Sequence, residues 1–516
     1  MVCCWLLALF LVIERSRFSA FAGQVLVAEL RNAEDESLQG FSFAKSDHFM
    51  VSSIVTRLTS DVTNIQNSVS TGLRPFCRGP VMLVAATAVA FSINGKLALV
   101  FLVALPILAV LLFSIVSHVQ PLYTKMQTAI DLVNRIIQEN LTAIRVVKAY
   151  VKGEYETEKF DEVNRNLKTQ SEKAFRLAAL NMPAMQIVMY GTILSLIWFG
   201  GRMIQVGGMQ VGELTGFLSY VMQILNSLMM ISNVFLMMTR SMASGSRILE
   251  IIDEKVDITD REAEDHEVER GEVEFDHVYF QYRKDAPEYI LSDVSLKIPA
   301  GSTFGIIGQT GSAKSTLIQL IPRLYDATKG EVRIDGLPVK KYKMEHLRDA
   351  IAVVLQKNTL FSGTLIENLR WGKEDATMEE IEQACRIACA DEFIDRLADG
   401  YETEMGQGGV NVSGGQKQRL CIARAILKRP KVLILDDSTS AVDTATEAKI
   451  RTMLKEELPE MTKIIIAQRI SSVRHADQIL ILDDGKVSDI GTHEELLERN
   501  EIYQEIYESQ KEGAEL

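Results

Sequence analysis

What the chain lacks narrows its class first. Its six cysteines, Cys3, Cys4, Cys77, Cys385, Cys389 and Cys421, form no C-x-x-C pair. Cys385 and Cys389, one helical turn apart, read as small buried apolar residues rather than metal ligands. A reducing compartment is the simplest setting for such a set. Basic residues are in deficit: 55 Lys and Arg stand against 68 Asp and Glu, for a formal net charge of -13 and a pI near 5.3. They form no basic stripe, which excludes a nucleic-acid partner, because phosphate backbones are held by clustered Lys and Arg. No basic residue precedes Trp5, so the apolar start is not patterned as a secretory leader. Short-period repeats and low-complexity tracts are also missing.

What is present is unevenly spread. The 516 residues suffice for two or three domains, and the apolar runs crowd into the first 240 of them. Segments at roughly 79–93, 97–116, 185–204 and 214–238 are apolar enough to span a bilayer. Only Asn94-Gly95-Lys96 separates the first two, as in a tight membrane hairpin. Residues 1–13 are apolar but too short to cross unaided, and read as part of a broken membrane helix. Most Lys and Arg of this half lie in 14–78 and 118–181, so the positive-inside rule places both stretches in the cytoplasm. Met1 would then start outside, and we expect at least one membrane helix to be missing ahead of it. Both stretches read as helix: Ile130, Val133, Ile137, Leu141, Ile144 and Val147 fall at three- and four-residue spacing. An out-and-back excursion of that length reaches on the order of 40 Å beyond the bilayer.

After Gly245 the composition turns acidic and poor in bulky apolar residues, a linker at 246–267. From 268 onward, alternation in Val273-Phe275 and Val278-Phe280-Tyr282 predicts half-exposed strands. "KVLILDD" and "TKIIIAQ" are continuous apolar strands of the kind buried in a parallel sheet.

One such strand, Thr303 to Ile307, runs into "GQTGSAKST" and then a helical pattern. Strand, loop and helix are the context of a phosphate-binding loop. Gly308 and Gly311 let backbone N–H groups turn toward phosphates, Lys314 reaches the β- and γ-phosphates, and Ser315 can ligate magnesium. About 120 residues on, "VLILDD" places Asp436 to hold that ion and Asp437 where an attacking water is polarised. Between them Ser413, Gly414, Gly415 and Gln416 precede another helix, a second anion-binding helix start.

"GQTGSAKST", "VSGGQKQR", "LILDDSTSAVD" and "IIIAQRISSVRHADQI", in this order, resemble the ATP-binding cassette (ABC) transporters. With "SSIVTRLTSDVTNIQN" and "RVVKAYVKGEYETEKF" upstream, the chain resembles an exporter-type half-transporter. The resemblance implies an all-α transmembrane domain at 1–245, counted as about five membrane segments where the family has six per half. The linker and an α/β P-loop nucleotide-binding domain at 268–516 follow, with a helical subdomain at about 358–425. It implies ATP and Mg2+ as ligands, bound along Gly308, Gln309, Thr310, Gly311, Ser312, Ala313, Lys314, Ser315 and Thr316. Tyr282 would stack on adenine, Gln356 would touch the magnesium held by Ser315 and Asp436, and Asp443 would communicate across the dimer. Two cassettes close head to tail in such proteins, so Ser413 to Gln416 would serve the partner's ATP.

Three positions depart from the family pattern: Ala313 stands for a glycine, Asp437 for the glutamate that activates water, and Gln468 for a histidine. His475 is no substitute, because its place in "VRHADQ" assigns it to the next helix. With a negative φ at Ala313 the added methyl costs little, so ATP binding is expected to survive while hydrolysis is slow. An intact signature beside a degenerate catalytic pair fits one half of a heterodimer in the cell membrane, with the cassette cytoplasmic. The cargo, whether small molecule, lipid or peptide, is not encoded in anything legible. Methionines such as Met182, Met185, Met189, Met222, Met229 and Met230 suit an adaptable pocket, although ordinary helix packing explains them as well. The competing reading is a non-transporting membrane pseudo-ATPase that regulates or scaffolds.

Overall fold

The computed structural model describes residues 2–49, 51–283, 286–438 and 441–512. Within "LILDDSTSAVD", Thr439 and Ser440 lie outside the described residues. The chain forms two compact units, Met1–Glu34 with Val55–Ile252, and Asp35–Ile54 with Asp253–Leu516.

In chain order the helices through residue 252 are α1 (Val2–Gln39), α2 (Phe43–His48), α3 (Val51–Thr56), α4 (Val62–Asn67), α5 (Leu73–Ile93), α6 (Gly95–Thr142), α7 (Ile144–Ala149), α8 (Gly153–Ala179), α9 (Asn181–Gln205) and α10 (Val211–Ile252). Apart from α2, the Asp35–Gln39 end of α1 and the Val51–Ile54 start of α3, they belong to the first unit. Two π-helical turns, Arg57–Asp61 and Ser68–Gly72, carry α3 through α4 into α5 without a break. Helical runs long and apolar enough to cross a membrane are Val51–Ile93, Gly95–Thr142, Gly153–Gln205 and Val211–Ile231. The first three contain the segments expected at 79–93, 97–116 and 185–204, and the fourth overlaps the one expected at 214–238. The hairpin between α5 and α6 needs a single non-helical residue: the Asn94 side chain accepts from the Lys96 and Leu97 N–H groups, each at 3.1 Å, and so caps α6. Around it Ala86, Ala90 and Ala98 allow close approach of the helices, and Phe101 stacks on Phe217 with ring centroids 5.3 Å apart.

In the second unit a six-stranded sheet runs in the order Lys486–Gly491, Gln478–Asp483, Thr303–Ile307, Thr462–Ile466, Val432–Asp436, Ile351–Val354. The last five strands are mutually parallel. Beside it lies a four-stranded antiparallel sheet ordered Leu291–Ile298, Val273–Phe280, Lys329–Ile334, Leu337–Pro338. Helices Leu365–Arg370, Met378–Ile387 and Gly414–Leu427 share a further core, in which Cys385, Cys389 and Cys421 are buried. Cys385 and Cys389 are packing residues, as expected of small apolar side chains, and Cys77 is exposed. Helix α2 joins this unit from far upstream: Phe43 meets Tyr325 at 6.2 Å, Ala44 packs on the core and Lys45 pairs with Glu254.

Candidate functional site

Four neighbouring parallel strands end side by side. Register pairs Ile466 with both Ile306 and Asp436, and Val354 with Leu435. The loops leaving these ends therefore converge at the carboxyl edge of the sheet, where open α/β folds bind ligands.

From the first strand springs the phosphate loop. Gly308 has no alternative: a Cβ there would stand 2.1 Å from the Leu482 carbonyl oxygen. Gly311 takes φ +91°. Ala313 does not keep the expected negative φ; it sits at φ 70°, ψ 22°, left-handed, at the N-cap of the helix Lys314–Gln319. The loop has to turn into a short helix there, and a non-glycine residue in that region carries strain of about 1–2 kcal/mol. The Lys314 ammonium donates to the carbonyls of Gly308 (2.9 Å) and Gln309 (2.8 Å) and to Ser312 Oγ (3.2 Å). Burial holds its pKa below the ordinary lysine value, and the charges of Asp436 and Asp437 oppose that shift. Gln309, Thr310 and Gly311 form the exposed rim.

Ser315 Oγ donates to Asp436 Oδ1 at 3.1 Å. Burial raises the pKa of Asp436, and the neighbouring Asp437 adds to it. The pairing puts a hydroxyl and a carboxylate, both hard oxygen donors, at one point. No group of three or more His, Cys, Asp or Glu among the described residues could hold a metal by itself. Such a sparse oxygen set fits Mg2+ arriving with nucleotide, since that ion takes one or two protein ligands and fills its shell with phosphate and water.

Asp437 Oδ2 accepts from two amides, Gln468 Nε2 at 3.1 Å and Gln356 Nε2 at 3.4 Å. Burial raises the Asp437 pKa as well, against the charge of Arg469. Tyr282, 45% exposed, packs edge-on against Phe280 and Tyr325, and its hydroxyl shares a hydrogen bond with Thr316 Oγ1 at 2.9 Å. A second cluster forms elsewhere. Ser413 caps the helix Gly414–Leu427 through a reciprocal pair with Gln416, exposed at its tip. A Cβ on Gly415 would lie 2.7 Å from the Ala441 carbonyl. Asp443 accepts from Thr446 N–H at 3.0 Å and caps the helix Thr444–Glu457. Among the described residues no hydrogen bond joins Ser413–Gln416 to the phosphate-loop cluster. His475 lies in a turn after the short helix Ile470–Val473, rather than within a helix as its motif suggested. Sequence reasoning missed the contact between Asp437 and Gln468, whose only signal is that both follow adjacent apolar strands.

Residues 1–228 match the model of the ABC transporter transmembrane region, and residues 291–440 the ABC transporter model. Over 508 residues the chain is 40% identical to the uncharacterized ABC transporter ATP-binding protein YfiB of Bacillus subtilis, covering 97% of this chain and 87% of that one. The chain belongs to the ABC transporters. This ABC exporter is also 34% identical over 458 residues to the ATP-dependent lipid A-core flippase of Desulfotalea psychrophila, covering 89% and 80% of the two chains. Its fold matches a bacterial Atm1-family ABC exporter with ATP bound at a TM-score of 0.81 and 26% identity, over 97% and 86% of the respective chains. The exporter is thus a multi-pass membrane protein with an ATP-binding ABC ATPase domain, of the architecture that assembles as a dimer.

Proposed function

We propose that this chain is one half of a heterodimeric ABC exporter, holding ATP at a slow site of its own and lending Ser413–Gln416 to a faster site on its partner. The observation that carries this reading is the clamp on Asp437, whose carboxylate is occupied by two side-chain amides, Gln356 and Gln468. A general base must lie within roughly 2.6–3.2 Å of the water it deprotonates. Asp437 is one methylene, about 1.5 Å, shorter than the glutamate of active members. Gln468 donates a hydrogen bond but has no proton to exchange near neutral pH. Loss of such a base costs on the order of 10²–10⁴-fold in rate.

Binding depends on different groups, and these are present. Backbone N–H groups of residues 308–316 and the Lys314 ammonium hold the phosphates, and Tyr282 offers its ring to adenine. Ser315 and Asp436, with Gln356, hold Mg2+, which neutralises phosphate charge when bound. Asp443 relays the state of one site to the other across the dimer. The exposed Ser413 tip, with its complete capping pair, is directed to a nucleotide carried by another chain. The cargo class is a small molecule, lipid or peptide, and the cassettes face the cytoplasm of a cell-membrane transporter.

The test compares Ser413→Arg with Asp437→Ala in the co-expressed heterodimer. Ser413→Arg should abolish ATP turnover by obstructing the partner's γ-phosphate, and Asp437→Ala should change it less than threefold. Equal losses, or full activity with Ser413→Arg, would overturn the assignment.

A further inference from the structure

Helix α1 presents one face to the rest of its unit, and the residues on that face recur at helical spacing: Ser19, Gly23, Val27, Leu30 and Glu34. Ser19 Oγ donates to the Ser70 carbonyl at 2.9 Å. A Cβ on Gly23 would stand 2.1 Å from Ser70 Oγ. Val27 packs with Val62 and Ile248, with Leu30 at their margin. The fifth position calls for another apolar or small residue and carries a glutamate. Glu34 is 0% exposed, and neither carboxylate oxygen has a protein hydrogen-bond partner.

The neighbouring charged groups are engaged with other partners. Asp61, from the π-turn between α3 and α4, accepts from Arg247 Nε of α10 at 2.7 Å and from Ser244 Oγ at 2.8 Å. Arg57, on the same turn, pairs with Glu250 of α10 at 2.8 Å and donates to the Arg247 carbonyl. Arg31, on α1 itself, is exposed and donates to the Leu58 carbonyl. Arg57 and Arg247 are thus taken up by Glu250 and Asp61, and the remaining cation, Arg31, is exposed to water and bonded to a backbone carbonyl, so an ionised Glu34 would have no ion-pair partner of its own. A buried carboxylate with neither an ion-pair partner nor a hydrogen bond is among the costliest groups a fold can hold, and the inexpensive remedy is a proton.

We propose that Glu34 is a proton-binding site, neutral while α1 is docked on the Arg57–Asp61 turn and α10, and releasing its proton to water when that docking loosens. Its pKa is pushed from the ordinary 4.5 up to about 7, by burial first and then by the charge of Asp61, with Arg57 and Arg31 pulling the other way. Glu34 lies in the polar stretch outside the apolar windows, so the proton it exchanges is drawn from the aqueous side. The sign follows from the raised value. Between 4.5 and about 7 the docked form binds more protons than the loosened one, so acid favours docking and a rise in pH through 7 withdraws that support. Glu34 is the last residue before the chain passes to the other unit, and Arg57 and Glu250 lie two residues from the other passages, at Val55 and Ile252.

The experiment uses the intact dimer in lipid nanodiscs. Infrared difference spectra between pH 6 and pH 8 should show a protonated carboxyl band that titrates near 7 in the wild type and is missing in Glu34→Gln and Glu34→Leu. Hydrogen exchange of α1 in the wild type, corrected for intrinsic rates, provides a readout that needs no variant: protection should fall about tenfold from pH 6 to pH 8. The same titrating band in both variants, or α1 protection independent of pH, would show that Glu34 is ionised and paired in the working protein and would overturn the proposal.

Discussion

At Ala313 a single methyl group sits on backbone that favours glycine. The chain puts an L-residue where φ is 70°, a region that costs such a residue about 1–2 kcal/mol. Ala313→Gly removes that strain and returns part of the gain as unfolded-state entropy. The variant should therefore be more stable by about 0.5–1 kcal/mol, read as a higher denaturation midpoint for the cassette transition. A lower midpoint would mean that the methyl packs favourably against the core it borders. The loop itself was legible in the sequence, because glycine, lysine and serine at that spacing after an apolar strand leave few alternatives. The sign of φ at Ala313 was not legible. It is set by how the strand must turn into a six-residue helix, and a side-chain preference read locally points the other way.

Between elements, two altered residues become one unit. Asp437 and Gln468 follow adjacent strands whose last residues, Asp436 and Ile466, are in register, and that pairing places their side chains 3.1 Å apart. Groups in direct contact do not contribute additively. Asp437→Glu alone should raise the turnover of the self-assembled chain little, because the longer carboxylate still meets an amide that cannot exchange a proton. Asp437→Glu with Gln468→His should raise it by at least tenfold more than the product of the single effects, measured as steady-state phosphate release. Full activity from the single change would remove any role for position 468. The strands were readable from their apolar runs. Their spatial order was not, since Thr462–Ile466 is inserted between Thr303–Ile307 and Val432–Asp436 only through long-range pairing. The membrane helices were the most legible elements, because length and hydropathy suffice, and Asn94-Gly95-Lys96 carries its cap in its own sequence.

For the whole molecule, the proposal concerns what one kind of chain can do when it meets only copies of itself. Both composite sites would then contain Asp437 and Gln468. The purified chain should bind Mg-ATP and turn it over on the order of 10²–10⁴-fold more slowly than a complex containing an intact base, and Lys314→Ala should abolish the binding, as measured by calorimetry. Turnover by the single chain at the rate of the co-expressed complex would contradict the heterodimer. The division into a membrane half and a cassette half was visible as a change in composition. The place of 35–54 in the cassette unit was not, since nothing in a local pattern announces a partner 209 residues away, as Glu254 is from Lys45.

That distance has a consequence for how the protein is made. Ribosomes extend a chain at about 5–20 residues per second, so helix α2 emerges on the order of 10–60 s before Glu254 and Tyr325 exist to receive it. During that interval Phe43, half exposed even in the finished fold at 47%, and Ala44 have no cassette to pack on. The cassette cannot complete its surface from its own contiguous residues either, and a fragment begun at Asp253 would be translated whole yet would lack α2. Docking of α2 in this half of the exporter therefore cannot begin until at least 209 further residues have been made.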